Sequence, residues 1–275
     1  MDAYQLVFRS PRRTVFPRDR ATVRRVVRAI VATAGAALLA FHISDTHVHL
    51  LLLANRARTG RLAQALSASL GRALRARLPS ASISDIHGGD HLSSAFEYVL
   101  CNDQRHGVPP DPWRENTNLP DLLGARVIGS ATAGRVRAVL PRINGDHLRE
   151  LAGWGDVVET KRTPALLREH LADSASAVIA RSGLAGREHD TTEVTVVAAH
   201  LAAEVGLEPE EAAALLGVAL SSGRRHRAAS ADAKLLAALR CQLDVRAVRP
   251  LRDDVPFQAS DGLIAWEERR RVLPR

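Results

Sequence analysis

Lysine is almost missing from this chain: Lys161 and Lys234 are the only two, although Lys and Arg together number 38. Arginine therefore carries the basic character, and its planar fork suits bidentate phosphate contacts better than a point-charge ammonium does. Cysteine is equally sparse. Cys101 and Cys241 make neither a disulfide framework nor a metal-binding motif, so a reducing compartment is the expectation. Aromatic residues are 4% of the chain, which argues against an extended base-stacking platform. The longest apolar run, residues 29–41, falls short of the about 20 residues that cross a bilayer. It continues a basic segment, 18–28, as one amphipathic helix. No secretory signal is recognised at the N-terminus. No membrane partner is expected, and the expected location is the cytoplasm, nucleoid-associated if the source is prokaryotic.

What is there is a 275-residue chain, 46% hydrophobic and 25% charged, long enough for a sizeable core and for two domains. Its formal net charge is +8 and its pI about 10.7, which favours a polyanionic partner such as nucleic acid. An Ala- and Arg-rich composition also follows from a GC-rich genome, so charge alone does not decide the partner.

Residues 41–53 hold the most informative pattern: His47-Val48-His49 within an otherwise strongly apolar strand. Strand residues two apart point the same way. Two imidazoles then stand side by side, and neutral imidazole is a good ligand for divalent metals. A bare His-x-His recurs by chance, so the rest of the chain has to supply the completion. About fifty positions on, Leu92, Ala95, Phe96, Val99 and Leu100 recur at helical spacing, and Gly107 reads as the residue that stops the helix. Tyr98 falls nearly opposite this apolar stripe, and Asn102, four residues on, shares its side. Tyr4 and Tyr98 are the only tyrosines.

These residues carry a resemblance. His-hydrophobic-His on a strand, then a helix with Tyr-x-x-x-Asn, resembles the single-tyrosine HUH transposases, and within them the REP-associated tyrosine transposases. His47-Val-His-Leu-Leu51 and Tyr98-Val-Leu-Cys-Asn-Asp-Gln-Arg-His-Gly107 are similar to that family's motifs, as are Pro112-Trp113, Leu122-Leu123-Gly124, and an opening strand ending near Arg9 and followed by Val15-Phe16. The resemblance covers roughly the first half of the chain. Two departures stand out. Ser44-Asp45-Thr46 replaces the family's Met-Pro-Asn, and Asn102-Asp103 replaces its Asn-Pro. Neither removes a ligand or the nucleophile; each alters a neighbour.

The resemblance implies metal-dependent cleavage and strand transfer of single-stranded DNA near hairpins. Tyr98 would be the nucleophile, forming a 5′-phosphotyrosine and leaving a free 3′-hydroxyl. His47, His49 and Asn102 would hold Mg²⁺ or Mn²⁺; imidazole alone favours zinc, so this metal comes from the resemblance. The chemistry is coherent: a covalent ester stores the bond energy for rejoining, a phenol ionises only near pH 10 and needs help, and a cation orients the phosphate. Arg9, Arg12, Arg13, Arg72, Arg75 and Arg77 are candidate phosphate contacts around this core. His42 reads as structural or exposed; it has the other parity if the strand runs straight through, and the turn leaves its direction open. His87, His91 and His106 read as solvated surface, and Asp45 as a turn residue or an imidazole's partner.

Along the chain, a strand at residues 4–9, a helix at 19–38, strands at 39–44 and 47–53, a helix at 61–78 and a strand at 81–86 give the β-α-β-β-α-β order. The expected fold is α+β, a ferredoxin-like core with an appended tyrosine helix, and the resemblance implies the same. Both faces of 47–53 are apolar, so that strand is expected to be central. The domains expected are a transposase-like domain over 1–125, a connecting segment over 126–162 with little periodicity, a helical domain over 163–250 and a tail over 251–275. In the third, short helices are expected from 163 onwards, among them 192–205, 208–217, 221–228 and 230–243. Helix, Leu-Gly-Val turn and a basic helix resemble a helix-turn-helix, which adds Arg224, Arg225 and Arg227 as candidate DNA contacts. The second functional reading is a non-catalytic DNA-binding regulator on this scaffold. A metal hydrolase ranks last: it would not need Tyr98 and lacks an acidic general base. Monomer and homodimer both remain open.

Overall fold

The structure is a computed structural model that describes residues 2–11, 16, 20–105, 107, 115–127, 132–140, 143–182 and 189–248. The fold is α+β, with one four-stranded antiparallel sheet and a majority of helix. The chain divides into two compact units, Met1–Leu123 with Ile128–Gly155, and Gly124–Val127 with Asp156–Arg275.

In the first unit, alternation and apolar runs produce strands β1 (Ala3–Arg9), β2 (Leu38–Ile43), β3 (His47–Leu53) and β4 (Ser82–Ile86). Helix α1 (Arg20–Ala34) joins β1 to β2, and α2 (Arg56–Leu74) joins β3 to β4. The sheet order is β2-β3-β1-β4. β3 is central, and Val48 to Leu53 are all buried, as its two apolar faces require. α1 ends earlier than its periodicity suggests: residues 35–37 tighten into a 3₁₀ turn and Leu38 already belongs to β2. α2 begins five residues earlier than its apolar pattern. Asn55 caps it by accepting from the Arg58 N–H at 2.9 Å.

α1 and α2 pack together over Leu6, Phe8, Val48 and Leu50, one face of the sheet. The other face carries Ala3, Leu51 and Leu53. It is covered by α3 (Gly88–Leu100), through Leu92, Ala95, Phe96, Val99 and Leu100. A fully buried leucine contributes about 1.5–3 kcal/mol, so these layers hold the register firmly. The register matters to function: a one-residue slip would turn His47 and His49 to the α1/α2 face.

The stretch over 126–162, with little periodicity and expected to be a connecting segment, contains α6 (Thr132–Val139) and α7 (Gly145–Leu151). Val136, Leu140, Leu148 and Leu151 join the α3 core. Before it, α4 (Asn102–Arg105) and α5 (Leu119–Leu122) are single turns. Residues 116–118 seal the β2 edge. The Ile43 N–H donates to Asn116 O at 2.7 Å, and Phe41 N–H to Asn118 Oδ1 at 3.0 Å. Asn118 Nδ2 donates to Leu39 O at 2.9 Å. A covered edge does not recruit another strand.

The second unit contains α8 (Pro164–Ser182), α9 (His189–Glu204), α10 (Pro209–Leu216), α11 (Leu220–Ala228) and α12 (Ala233–Val248). α8 and α9 run 19 and 16 residues, longer than the short helices expected there. Leu167, Leu171, Val197, Leu201, Leu239 and Leu243 are among its core residues. Pro209 opens α10, where its missing N–H costs nothing. Gly217 closes it at φ 65°, a left-handed conformation that a Cβ would strain. Among the described residues no helix is long and apolar enough to cross a membrane. The tail 251–275 lies outside the described residues.

Candidate active site

The structure brings four of the sequence-derived residues together in the first unit. His47 and His49 stand on one face of β3 with ring centroids 4.5 Å apart and planes at 80°. The Tyr98 ring lies edge-on to His49, centroids 5.6 Å apart. Asn102 is buried, with Nδ2 3.4 Å from His49 Nε2. Tyr98 and Asn102 do not ride on one unbroken helix as their spacing suggested. α3 stops at Leu100, Cys101 leaves helical geometry (φ −85°, ψ 12°), and α4 resumes at Asn102. Gly107 ends this region at φ 69°, its N–H donating to Gln104 O at 3.0 Å, as a terminating glycine does.

Both imidazoles have a polar neighbour at Nδ1. Thr46 Oγ1 lies 3.0 Å from His47 Nδ1, and the Gln5 amide nitrogen lies 3.3 Å from His49 Nδ1. A hydroxyl can accept from an Nδ1–H, and so can an amide once its O and N are exchanged. That tautomer leaves each Nε2 lone pair for a cation, the arrangement that orients metal-ligating histidines. Asn102 Oδ1 is buried and has no hydrogen-bond partner among the described residues. Exchanging its O and N turns this oxygen toward His49 Nε2 with no heavy atom moved. The donors therefore fit a divalent cation: two imidazole nitrogens and one amide oxygen. Among the described residues no three His, Cys, Asp or Glu side chains are grouped to hold one.

Two neighbours carry no motif in the sequence, and a third, His42, lies differently than its strand parity suggests. Gln5 is the lone polar side chain between Ala3 and Phe8, and that interruption was its only signal. Arg105 sets its guanidinium carbon 4.7 Å from the Tyr98 ring centroid, a cation–π contact. His42, expected to be structural or exposed with the turn leaving its direction open, is the direct cross-strand partner of His49 and fully buried. The two strands are antiparallel neighbours joined by a tight turn, so parity counted straight through the turn does not apply. Asp45 is exposed in that turn, its carbonyl accepting from the Phe16 N–H at 2.6 Å. His87 and His91 are exposed.

The arginines are scattered. Arg9 is exposed at the end of β1, paired in register with His47. Arg72, Arg75 and Arg77 are exposed at and just beyond the end of α2, which covers the sheet face away from the imidazoles. Arg72 and Arg77 line a groove of about 780 Å³ with Gln64, Ser67 and Ser80. Arg12, Arg13, His106 and Pro112-Trp113 lie outside the described residues. In the second unit, Arg224, Arg225 and Arg227 are exposed on α11, and Arg224 is paired with Glu210 at 3.0 Å. Burial, with help from Arg225, lowers the pKa of His226 below the ordinary imidazole value. Comparison with family models, with curated proteins and with solved structures finds no match.

Proposed function

We propose that the chain is a metal-dependent DNA strand transferase of the single-tyrosine HUH type, a transposase or a domesticated relative. The observation that carries this reading is the meeting of a histidine pair, a tyrosine ring 5.6 Å from it and a buried amide 3.4 Å from the same imidazole. The β-α-β-β-α-β order and the strand order β2-β3-β1-β4 support a ferredoxin-like core for the first unit.

In the proposed reaction Tyr98 Oη attacks a backbone phosphorus of single-stranded or hairpin DNA. The new O–P bond is a 5′-phosphotyrosine; the bond to the 3′ oxygen breaks, and that oxygen leaves with a proton as a free hydroxyl. The phenol gives up its own proton as it attacks. Mg²⁺ or Mn²⁺ on His47, His49 and Asn102 would offset charge on the phosphate oxygens. Thr46 and Gln5 hold the imidazoles in the ligating tautomer. Arg105, beside the ring, is in place to bind the phosphate as it arrives. Attack by the 3′-hydroxyl of a second strand reverses the chemistry and completes transfer.

The second unit supports DNA binding in this reading: α10, a three-residue turn and the arginine-bearing α11 make a helix-turn-helix candidate. Its exposed Arg225 and Arg227 serve the second reading equally, a regulator that binds DNA without cutting it. We place either protein with DNA, in the cytoplasm or on a nucleoid.

Incubation with single-stranded hairpin DNA and Mn²⁺ or Mg²⁺ tests the choice. The strand transferase gives an SDS-resistant protein–DNA adduct that Tyr98→Phe abolishes while binding persists. Binding without an adduct favours the regulator, and an adduct in the Phe variant overturns Tyr98 as nucleophile.

A further inference from the structure

Next to the cation set lies a second polar cluster that the reaction above does not use. His42 is fully buried on β2, in the same rung of the sheet as His49. Its Nε2 lies 2.8 Å from Asp103 Oδ1. A carboxylate only accepts, so Nε2 carries the hydrogen. Asn116 closes the cluster: Nδ2 donates to Ile43 O at 3.0 Å, and lies 3.3 Å from His42 Nε2 and 3.5 Å from Asp103 Oδ2. Asn116 is itself tied to the sheet edge by the Ile43 N–H.

Asp103 directly follows Asn102 on the single turn α4, and α4 is separated from α3 by the break at Cys101. A four-residue turn has little stability of its own. Its bond from the Arg105 N–H to Cys101 O, 3.1 Å long, is of the ordinary helical kind. The Asp103 carboxylate held by His42 attaches it to the sheet next to the imidazoles, and Gln104 Nε2, donating to Leu151 O at 3.0 Å, ties it to α7 instead. A hydrogen bond to a charged group is roughly twice as strong as a neutral one. His42 is anchored in the same strand pair that carries His49, so the latch ties the residue after Asn102 to the rung that holds its imidazole neighbour.

We propose that the His42–Asp103 bond, with Asn116, is a latch that positions Asn102 as the third cation ligand. His42 and Asp103 are thus positioning residues. This rests on the reading of His47, His49 and Asn102 as a cation site, and it assigns a purpose to the aspartate standing where the resembled family has proline. It also means that one chain fixes its own amide ligand against its own histidines.

The test uses the full chain and the variants Asp103→Ala, His42→Leu and His42→Gln. The last keeps an N–H donor near the Nε2 position. Amide hydrogen exchange of Arg105 reports α4, and titration with Mn²⁺ alone, followed by electron paramagnetic resonance, reports the site. Expected are at least tenfold faster exchange and at least tenfold weaker Mn²⁺ binding in Asp103→Ala and His42→Leu, with recovery in His42→Gln. Exchange within β3 should stay unchanged, and Asp103→Ala, on the less buried partner, serves if His42→Leu does not fold. Unchanged exchange in Asp103→Ala overturns the latch. Faster exchange with unchanged Mn²⁺ affinity overturns its positioning role. Wild-type protein that binds no Mn²⁺ is a different failure: it overturns the cation site itself.

Discussion

The Asn102 amide nitrogen lies 3.4 Å from His49 Nε2, and both side chains are buried. Two nitrogens at that distance make a poor hydrogen bond, and the amide oxygen beside them has no partner among the described residues. A buried polar atom without a partner costs about 1–3 kcal/mol, which a cation bridging the oxygen and the imidazole would relieve. Asn102→Ala should therefore weaken Mn²⁺ binding by about tenfold or more, equal to about 1.4 kcal/mol, with little loss of fold. Asn102→Asp, which offers a carboxylate oxygen at the same place, should bind at least as tightly as wild type. Calorimetric titration distinguishes them, and equal affinity in all three proteins would remove Asn102 from the ligand set.

Arg105 and Tyr98 form the second informative pair, the guanidinium carbon 4.7 Å from the ring centroid. If Arg105 binds the phosphate under attack, its loss should slow adduct formation by about 100-fold, the scale of removing one electrostatic stabiliser. Mn²⁺ affinity should not change, because Arg105 is not among the proposed cation ligands. Single-turnover cleavage of hairpin DNA by Arg105→Ala gives the rate. A wild-type rate would leave the contact as ring packing alone.

Distance along the chain separates the chemistry that the sequence displays from the chemistry that only folding assembles. His47 and His49 declare themselves through a period of two, and Tyr98 and Asn102 through a separation of four; each is local. His42 and Asp103 are 61 residues apart, and their bond depends on the β2–β3 register and on the break at Cys101. No local pattern encodes either. Gln5 becomes meaningful only once β1 is known to lie beside β3. α6 and α7 escaped for another reason: they are 8 and 7 residues long, too short for a 3.6-residue period to stand out. The start of α2 was legible from Asn55 as a cap, had capping been weighed above apolar spacing.

Glu115 and Arg24 predict a stability effect. Their side chains meet at 2.8 and 2.9 Å in a two-pronged ion pair, and both are largely buried. The pair ties α1 to the segment that seals the β2 edge. Removing one member leaves the other charge poorly solvated, which costs about 3–5 kcal/mol. Glu115→Ala should lower the urea midpoint of the first unit by a corresponding amount. Arg24→Met with Glu115→Leu should recover part of it, since an apolar pair leaves no orphaned charge. Independent, additive losses in the double variant would contradict the pairing.

A pH effect belongs to the second unit. Burial and Arg225 hold the His226 imidazole below its ordinary value. The unfolded chain therefore takes up its proton first, near pH 6.5, while the folded chain still resists it. Stability is fully present above that value and is lost as pH falls from about 6.5 through the lower folded pKa. Thermal melts of the second unit between pH 7.5 and 5.5 should show this decline, and His226→Gln should flatten it. An equal slope in the variant would assign the decline to another group.

The exposed arginines of α11 decide whether the second unit grips DNA. Each phosphate neutralised steepens the dependence of log affinity on log salt by about 0.9 for duplex or about 0.7 for single strands. Arg225 and Arg227 are exposed, whereas Arg224 already faces Glu210 at 3.0 Å. Arg225→Ala and Arg227→Ala should each reduce the slope by close to one such step, and Arg224→Ala by less, because its partner carboxylate is freed to repel the phosphate while its own contribution was already shared. Tyr98→Phe removes no charge and should keep the wild-type slope even though it forms no adduct. Fluorescence anisotropy with a labelled hairpin between 50 and 300 mM salt measures all four. An affinity that ignores salt in the wild type would rule out phosphate contacts, and with them a DNA partner in both functional readings.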